Sequence, residues 1–199
     1  MMYRHSRACL SIAVVLVVAS VLSGCAGAVI GAGATAATAA MEERGISGVA
    51  SDTATATQIR GKLVERGGNL ALRVGVEVYG KRALLTGIVD SEQDRADAVR
   101  LAWSVEGIED VLNEIEIGDP SLLENARDGL ITARLFGRMT GDAEILAINY
   151  SIETVNGVIY LIGTAQSADE LKRVINHARE VKNARRVVNH VRVKPANKS

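Results

Sequence analysis

The chain repeats itself. Val74 and Val76 recur as Tyr150 and Ile152, an offset of 76 residues, and the same offset carries Gly80-Lys81 onto Asn156-Gly157. It also takes Gly87 to Gly163, Ser91 to Ser167, Val99 to Ile175, Val105 to Val181 and Asn113 to Asn189, and it places Ile115 and Ile117 on Val191 and Val193. An offset held from Val74 to Ile117 constrains the fold more than any single element. The chain must be two copies of one supersecondary unit. Asn156-Gly157 supplies the unit's clearest local signal. A two-residue type I′ turn needs positive φ at both positions, which Asn and Gly tolerate best. Alternating apolar residues precede it at Ile148, Tyr150 and Ile152, and the β-prone run Val158–Ile162 follows, so two strands turn back on each other.

Helical periodicity fills in the rest. In the first copy Ala56, Ile59 and Leu63 share a face of a helix over Asp52–Arg66, capped by Asp52 or Thr53 and ended by Gly67-Gly68-Asn69. Strands follow at Val74–Tyr79 and Ala83–Val89. Ser91 caps a second helix, with Asp94 in its first turn and Ala96, Val99 and Ala102 toward the core. Gly107 ends that helix, and Val111–Ile117 alternates as a third strand. Gly118-Asp119-Pro120 breaks the chain.

In the second copy a helix over Arg127–Met139 places Ile131 and Leu135 opposite Ile59 and Leu63 at an offset of 72, which implies four inserted residues around Thr140–Ala143. Ser167-Ala168-Asp169-Glu170 is a capping box, and Leu171, Val174, Ile175 and Ala178 form an amphipathic stripe. Val187–Val193 is the last strand, stopped by Pro195. Each unit is helix, strand, strand, helix, strand: an α+β fold with a three-stranded sheet covered by two helices. Units this small have thin cores and gain from packing on each other. Trp103, whose partner is Arg179, is expected in the joint between the copies.

The start of the chain is an address. Arg4, His5 and Arg7 precede an apolar run over Cys9–Leu22, too short to span a bilayer and suited to a secretory signal. It ends in Leu22-Ser23-Gly24-Cys25, which resembles the bacterial lipobox. That resemblance implies cleavage before Cys25 and acylation of Cys25, a durable membrane anchor. Ala26 in the next position favours the outer membrane. Of the two cysteines, Cys9 leaves with the signal and Cys25 takes lipid, so none remains for a disulfide or metal. The boundaries are then 1–24 leader, 25–51 lipidated cysteine and flexible tether, 52–118 first unit, 119–126 linker, 127–194 second unit and 195–199 tail.

Charge divides unevenly. Thr57–Gly118 carries eight Lys/Arg against eleven Asp/Glu, and Ser121–Ser199 twelve against eight. Export and a net charge of −2 from Cys25 onward argue against nucleic-acid binding. His177 and His190 have no ligand cluster at metal spacing, the serines lack a nucleophile elbow, and Gly67-Gly68 ends a helix instead of opening one. Glu114 and Glu116 alternate outward as a solvated face. Nothing here assembles catalytic chemistry, and no cofactor is expected.

Apolar-x-apolar, a turn with Gly, an apolar run, Gly, Ser, an amphipathic helix and then Val-x-Asn-x-apolar resembles the BON domain, present as Val74–Ile117 and Tyr150–Val193. Behind a lipobox, the pair looks like the outer-membrane dual-BON lipoproteins. The resemblance implies a non-enzymatic, lipid-anchored protein on the periplasmic face of the outer membrane. It further implies binding to anionic phospholipid and support of envelope integrity.

The residues that distinguish the copies lie on the helix Arg127–Met139. At the offset of 72, Leu130 replaces Gln58 and Met139 replaces Gly67. Leu130 points about 100° from Ile131, with Arg134 and Arg138 flanking and small Ala133 and Gly137 beside it. That pattern suits an interfacial helix, and Leu130, Arg134, Arg138, Met139 and Arg127 are the candidate lipid-binding residues. Packing of Leu130 on the first copy or the tether is the alternative. In the resembling lipoproteins the matching helix contacts anionic phospholipid, and the position of Leu130 is aromatic. Two other functions stay open: an adaptor for outer-membrane assembly or secretion proteins, and an osmotic-stress or holdase-like periplasmic protein.

Overall fold

The computed structural model describes residues 41–119 and 122–195, so the leader, Cys25 and most of the tether lie outside the described residues. Two units follow one plan. The first is α1 (Gly45–Arg66), the short α2 (Leu70–Arg73), β1 (Val74–Tyr79), β2 (Arg82–Val89), α3 (Glu92–Trp103) and β3 (Asp110–Ile117). The second is α4 (Leu122–Thr140), a 3-10 turn (Ala147–Asn149), β4 (Tyr150–Val155), β5 (Val158–Ala165), α5 (Ala168–Arg179) and β6 (Arg186–Val193). The strand orders are β1-β2-β3 and β4-β5-β6, each with an antiparallel hairpin and a parallel third strand. Val74 pairs with Gly87, and Tyr150 with Gly163, so the repeat is preserved in register.

The hairpin turns adopt the expected conformation. Gly80 and Lys81 have φ of 56° and 64°, and Asn156 and Gly157 have 49° and 74°. Ser91 and Ser167 cap α3 and α5 by accepting from the Asp94 and Glu170 amides. The capping box is displaced by one residue: Glu170 reaches the amides of Gln166 and Leu146, not that of Ser167. In α3, Ala102 is buried and Val99 packs against the core as expected, but Ala96 is exposed and Ala98 takes its place.

β2 is buried along its whole length, and β5 nearly so. A strand with both faces covered needs an unbroken apolar run. On one face the helices close a core in each unit, built around Ile59, Leu63, Leu85 and Ala98 in the first and Ile131, Leu135, Leu161 and Val174 in the second. The other face packs sheet on sheet: Tyr79 and Leu84 from the first unit meet Val158, Tyr160 and Ile162 from the second. Trp103 takes no part. It stands half exposed at 51% at the end of α3, so its expected place in the joint is corrected.

Equivalent positions of the two sheets meet across the joint. Glu114 meets His190, its own counterpart at 76 residues' distance, with Oε1 and Nε2 2.8 Å apart. Arg82 donates from Nη1 to the His190 carbonyl (2.9 Å), and Arg186 reaches Glu116 (3.4 Å). Glu114 therefore bridges the units instead of standing on the expected solvated face, while Glu116 stays exposed there beside Arg186.

Glu77 and Glu153, again equivalent positions, also converge at this joint. Arg60 pairs with Glu77 at 3.5 Å. Phe136 stands at the equivalent of Arg60, so the second unit supplies no such cation. Burial, reinforced by Glu77, pushes the Glu153 carboxyl up to about 7. A carboxyl whose folded pKa exceeds its unfolded value binds more protons when folded. Its contribution to stability is therefore full below about 4.5 and is lost as pH rises through about 7. Stability is expected to fall between those values by no more than about 3 kcal/mol. Glu153→Gln is expected to flatten that slope, as read by urea unfolding at a series of pH values.

The start of each unit departs from expectation. α1 begins at Gly45, seven residues before Asp52, and the tether is helical from there; α4 begins at Leu122, inside the expected linker. Asp52 and Thr53 cap nothing. Asp52 is buried within α1, where its carboxylate accepts from the Gly80 and Lys81 amides at 2.7 and 3.1 Å. Asp128 does the same in α4, accepting from Asn156 and Gly157 at 2.6 and 2.7 Å. Each helix thus pins its own hairpin turn through one aspartate. Asp52 and Asp128 also stand 76 residues apart, so the helices share the strands' offset. Leu135 and Met139 are the true counterparts of Ile59 and Leu63, and there is no four-residue insertion.

Candidate functional site

α4 carries two different faces. Asp128, Ile131, Leu135 and Met139 are buried against the sheet. With about 100° per residue, Leu130, Ala133 and Gly137 run along the opposite side, all exposed. Leu130 is 56% accessible and Phe136, on one flank, 49%. Arg127, Arg134 and Arg138 are exposed on the other flank. The outward side therefore has Leu130 beside a cationic edge, a floor of small residues, and Phe136 alone on the far flank. The corresponding residues of α1 are Ser51, Ala54, Thr57, Gln58, Arg60, Gly61 and Lys62, so the cation at Arg138 is shared and the exposed apolar residues belong to the second unit alone.

Four of the five candidate lipid-binding residues thus lie on one surface. Met139 does not: it is 0% accessible, a core residue in the place of Leu63. Sequence reasoning misses Phe136. It is the chain's single Phe, and at the offset of 76 it replaces Arg60, an apolar-for-cation exchange that marks it out.

Below the cationic edge, α4 and the end of α5 enclose a groove of about 510 Å³ lined by Arg134, Gly137, Arg138, Glu180, Val181 and Lys182. Arg138 is held by Glu180 at 3.0 Å, while Arg134 and Lys182 make no ion pair among the described residues. The groove can take an oxyanion by charge-assisted hydrogen bonds. Leu130, one turn before Arg134 on α4, can enter an acyl layer.

The histidines have structural partners. His177 bonds Asp142 at 2.8 Å, and that bond, with further donors, holds the Asp142 carboxyl down to about 2. Among the described residues no group of acidic, His or Cys side chains could hold a metal, and no helix is long and apolar enough to cross a membrane.

Two α-β-β-α-β units of common register, each with its Asp-pinned hairpin, define the class. The chain belongs to the BON domain family, which matches residues 51–119 and 127–195. It is a dual-BON protein of the DolP-like kind. A protein of Anaplasma centrale described as an "uncharacterized protein in gshII 5′ region" is 40% identical over 72% of this chain and 95% of its own length. Outer membrane lipoprotein DolP of Haemophilus influenzae is 29% identical over 80% of this chain and 86% of its own. Osmotically-inducible protein Y of Escherichia coli is 25% identical over 66% and 70%.

Proposed function

We propose that this is a non-enzymatic envelope protein, anchored through acylated Cys25 to the periplasmic face of the outer membrane. There it binds anionic phospholipid through the outward side of α4 and supports membrane integrity. The observation that carries the reading is exposed Leu130 set within one helical turn of Arg127 and Arg134 on the outward side of α4, where α1 has Ala54, Ser51 and Gln58. An interfacial helix lies with its apolar edge in the acyl boundary and its cations at phosphate depth. The relation to an outer membrane lipoprotein and the Leu22–Cys25 motif support the location.

Vesicle flotation tests it. The Cys25→Ser chain is expected to float with phosphatidylglycerol-containing vesicles and not with purely zwitterionic ones. Leu130→Glu is expected to weaken the association about tenfold or more, since a carboxylate at this depth is both desolvated and repelled. Equal binding to both vesicle types, or full binding by Leu130→Glu, would overturn the assignment.

A further inference from the structure

The residues just before α1 grip both units. The Glu43 amide donates to Asn149 Oδ1 at 2.8 Å. Its carboxylate accepts from Gln166 Nε2 at 3.1 Å and pairs with Lys194 Nζ at 2.7 Å. All three partners belong to the second unit. Arg44, the next residue, turns the other way. Its guanidinium bonds Asp52 (2.8 Å) and the Val78 carbonyl (3.1 Å), and lies 4.1 Å from the centre of the Tyr79 ring. Those partners belong to the first unit, and Tyr79 is part of the sheet-on-sheet joint. Glu42 holds Arg44 from behind at 2.8 Å.

Two features make these more than surface pairs. Asn149 is 1% accessible. A buried amide oxygen left without its donor costs far more than an exposed contact gains. Moreover, the repeat places Arg73 where the second unit has Asn149, so the receptor for Glu43 exists in the second unit only. The segment thus recognises one particular partner and does not simply lie where the chain happens to pass.

We propose that Met41–Arg44 is a clasp that closes the second BON domain onto the first, and that the pairing of the two sheets depends on it. A pull on the chain before Met41 meets the Glu43 contacts before it reaches either folded unit. Release of Glu43 strips Asn149 and Lys194 of their partners while Arg44 stays with the first domain. The clasp stands on these contacts alone. Only its exposure to load at a membrane rests on the anchoring proposed above.

Hydrogen exchange by mass spectrometry on the full chain tests it. Glu43→Lys places a cation against Lys194. It is expected to speed exchange about threefold or more in peptides covering β3 and β6, whose Leu112 and Val188 pack at the joint. Peptides from α3 and α5 on the outer faces are expected to stay unchanged. The swap Glu43→Lys with Lys194→Glu is expected to restore slow exchange. Unchanged β3 and β6 in Glu43→Lys would overturn the proposal. So would an equal rise in α3 and α5, which would show a general loss of stability and no specific closure.

Discussion

Gly87→Ala is expected to destabilise the first domain by about 4 kcal/mol or more, enough to unfold it. Gly87 has φ of 123°, a conformation that side-chain-bearing residues rarely adopt. A Cβ there would also fall inside the van der Waals radius of the Arg73 carbonyl oxygen, with Val74 Cα at 3.3 Å behind it. The obstacle is backbone, fixed where β1 starts its pairing with Gly87, so no rotamer change relieves it. Gly61→Ala is the control. Gly61 lies on the exposed side of α1, and nothing stands within 4 Å of the place its methyl group would take. Helix propensity alone should make that change stabilising by up to about 1 kcal/mol. Urea unfolding followed by circular dichroism separates the two, and near-equal midpoints would contradict the geometry.

Asp128→Ala is expected to cost about 3 kcal/mol, because two turn amides lose a buried, charged acceptor. Asp128→Asn is expected to be almost as damaging. The carboxylate uses Oδ2 for the Asn156 amide and Oδ1 for the Gly157 amide. An asparagine keeps one oxygen and turns an NH₂ group toward the other N–H. Unfolding midpoints of both variants against the parent give the test, and a mild Asn variant would show that one bond carries most of the effect.

Strands and turns are legible because the repeat, the Asn-Gly and Gly-Lys turns and the period-two pattern agree on one register. The first helices are legible as helices, but their alignment with each other is not. Apolar residues on a helix recur every three or four positions, so sliding one copy by four residues still lays Ile131 and Leu135 on Ile59 and Leu63. Apolar matching cannot detect that slip. The buried Asp52 and Asp128 can, since each must reach its own turn. The slip is why Met139 reads as a surface residue and why Phe136 escapes notice. Leu130, Arg134 and Arg138 survive it because Ile131 and Leu135 set the core direction correctly. Trp103 has no apolar counterpart in the repeat, so nothing in the pattern could fix its surroundings.

The joint around Glu114 and His190 bears on how such a chain arises. In a symmetric pair of identical single domains, a residue on the two-fold axis faces a second copy of itself. Glutamate would face glutamate there, and opposite charges could never meet. Gene fusion removes that restriction, because each side of the axis can then change alone. The Glu114–His190 pair is a combination that two identical domains related by a two-fold axis cannot hold.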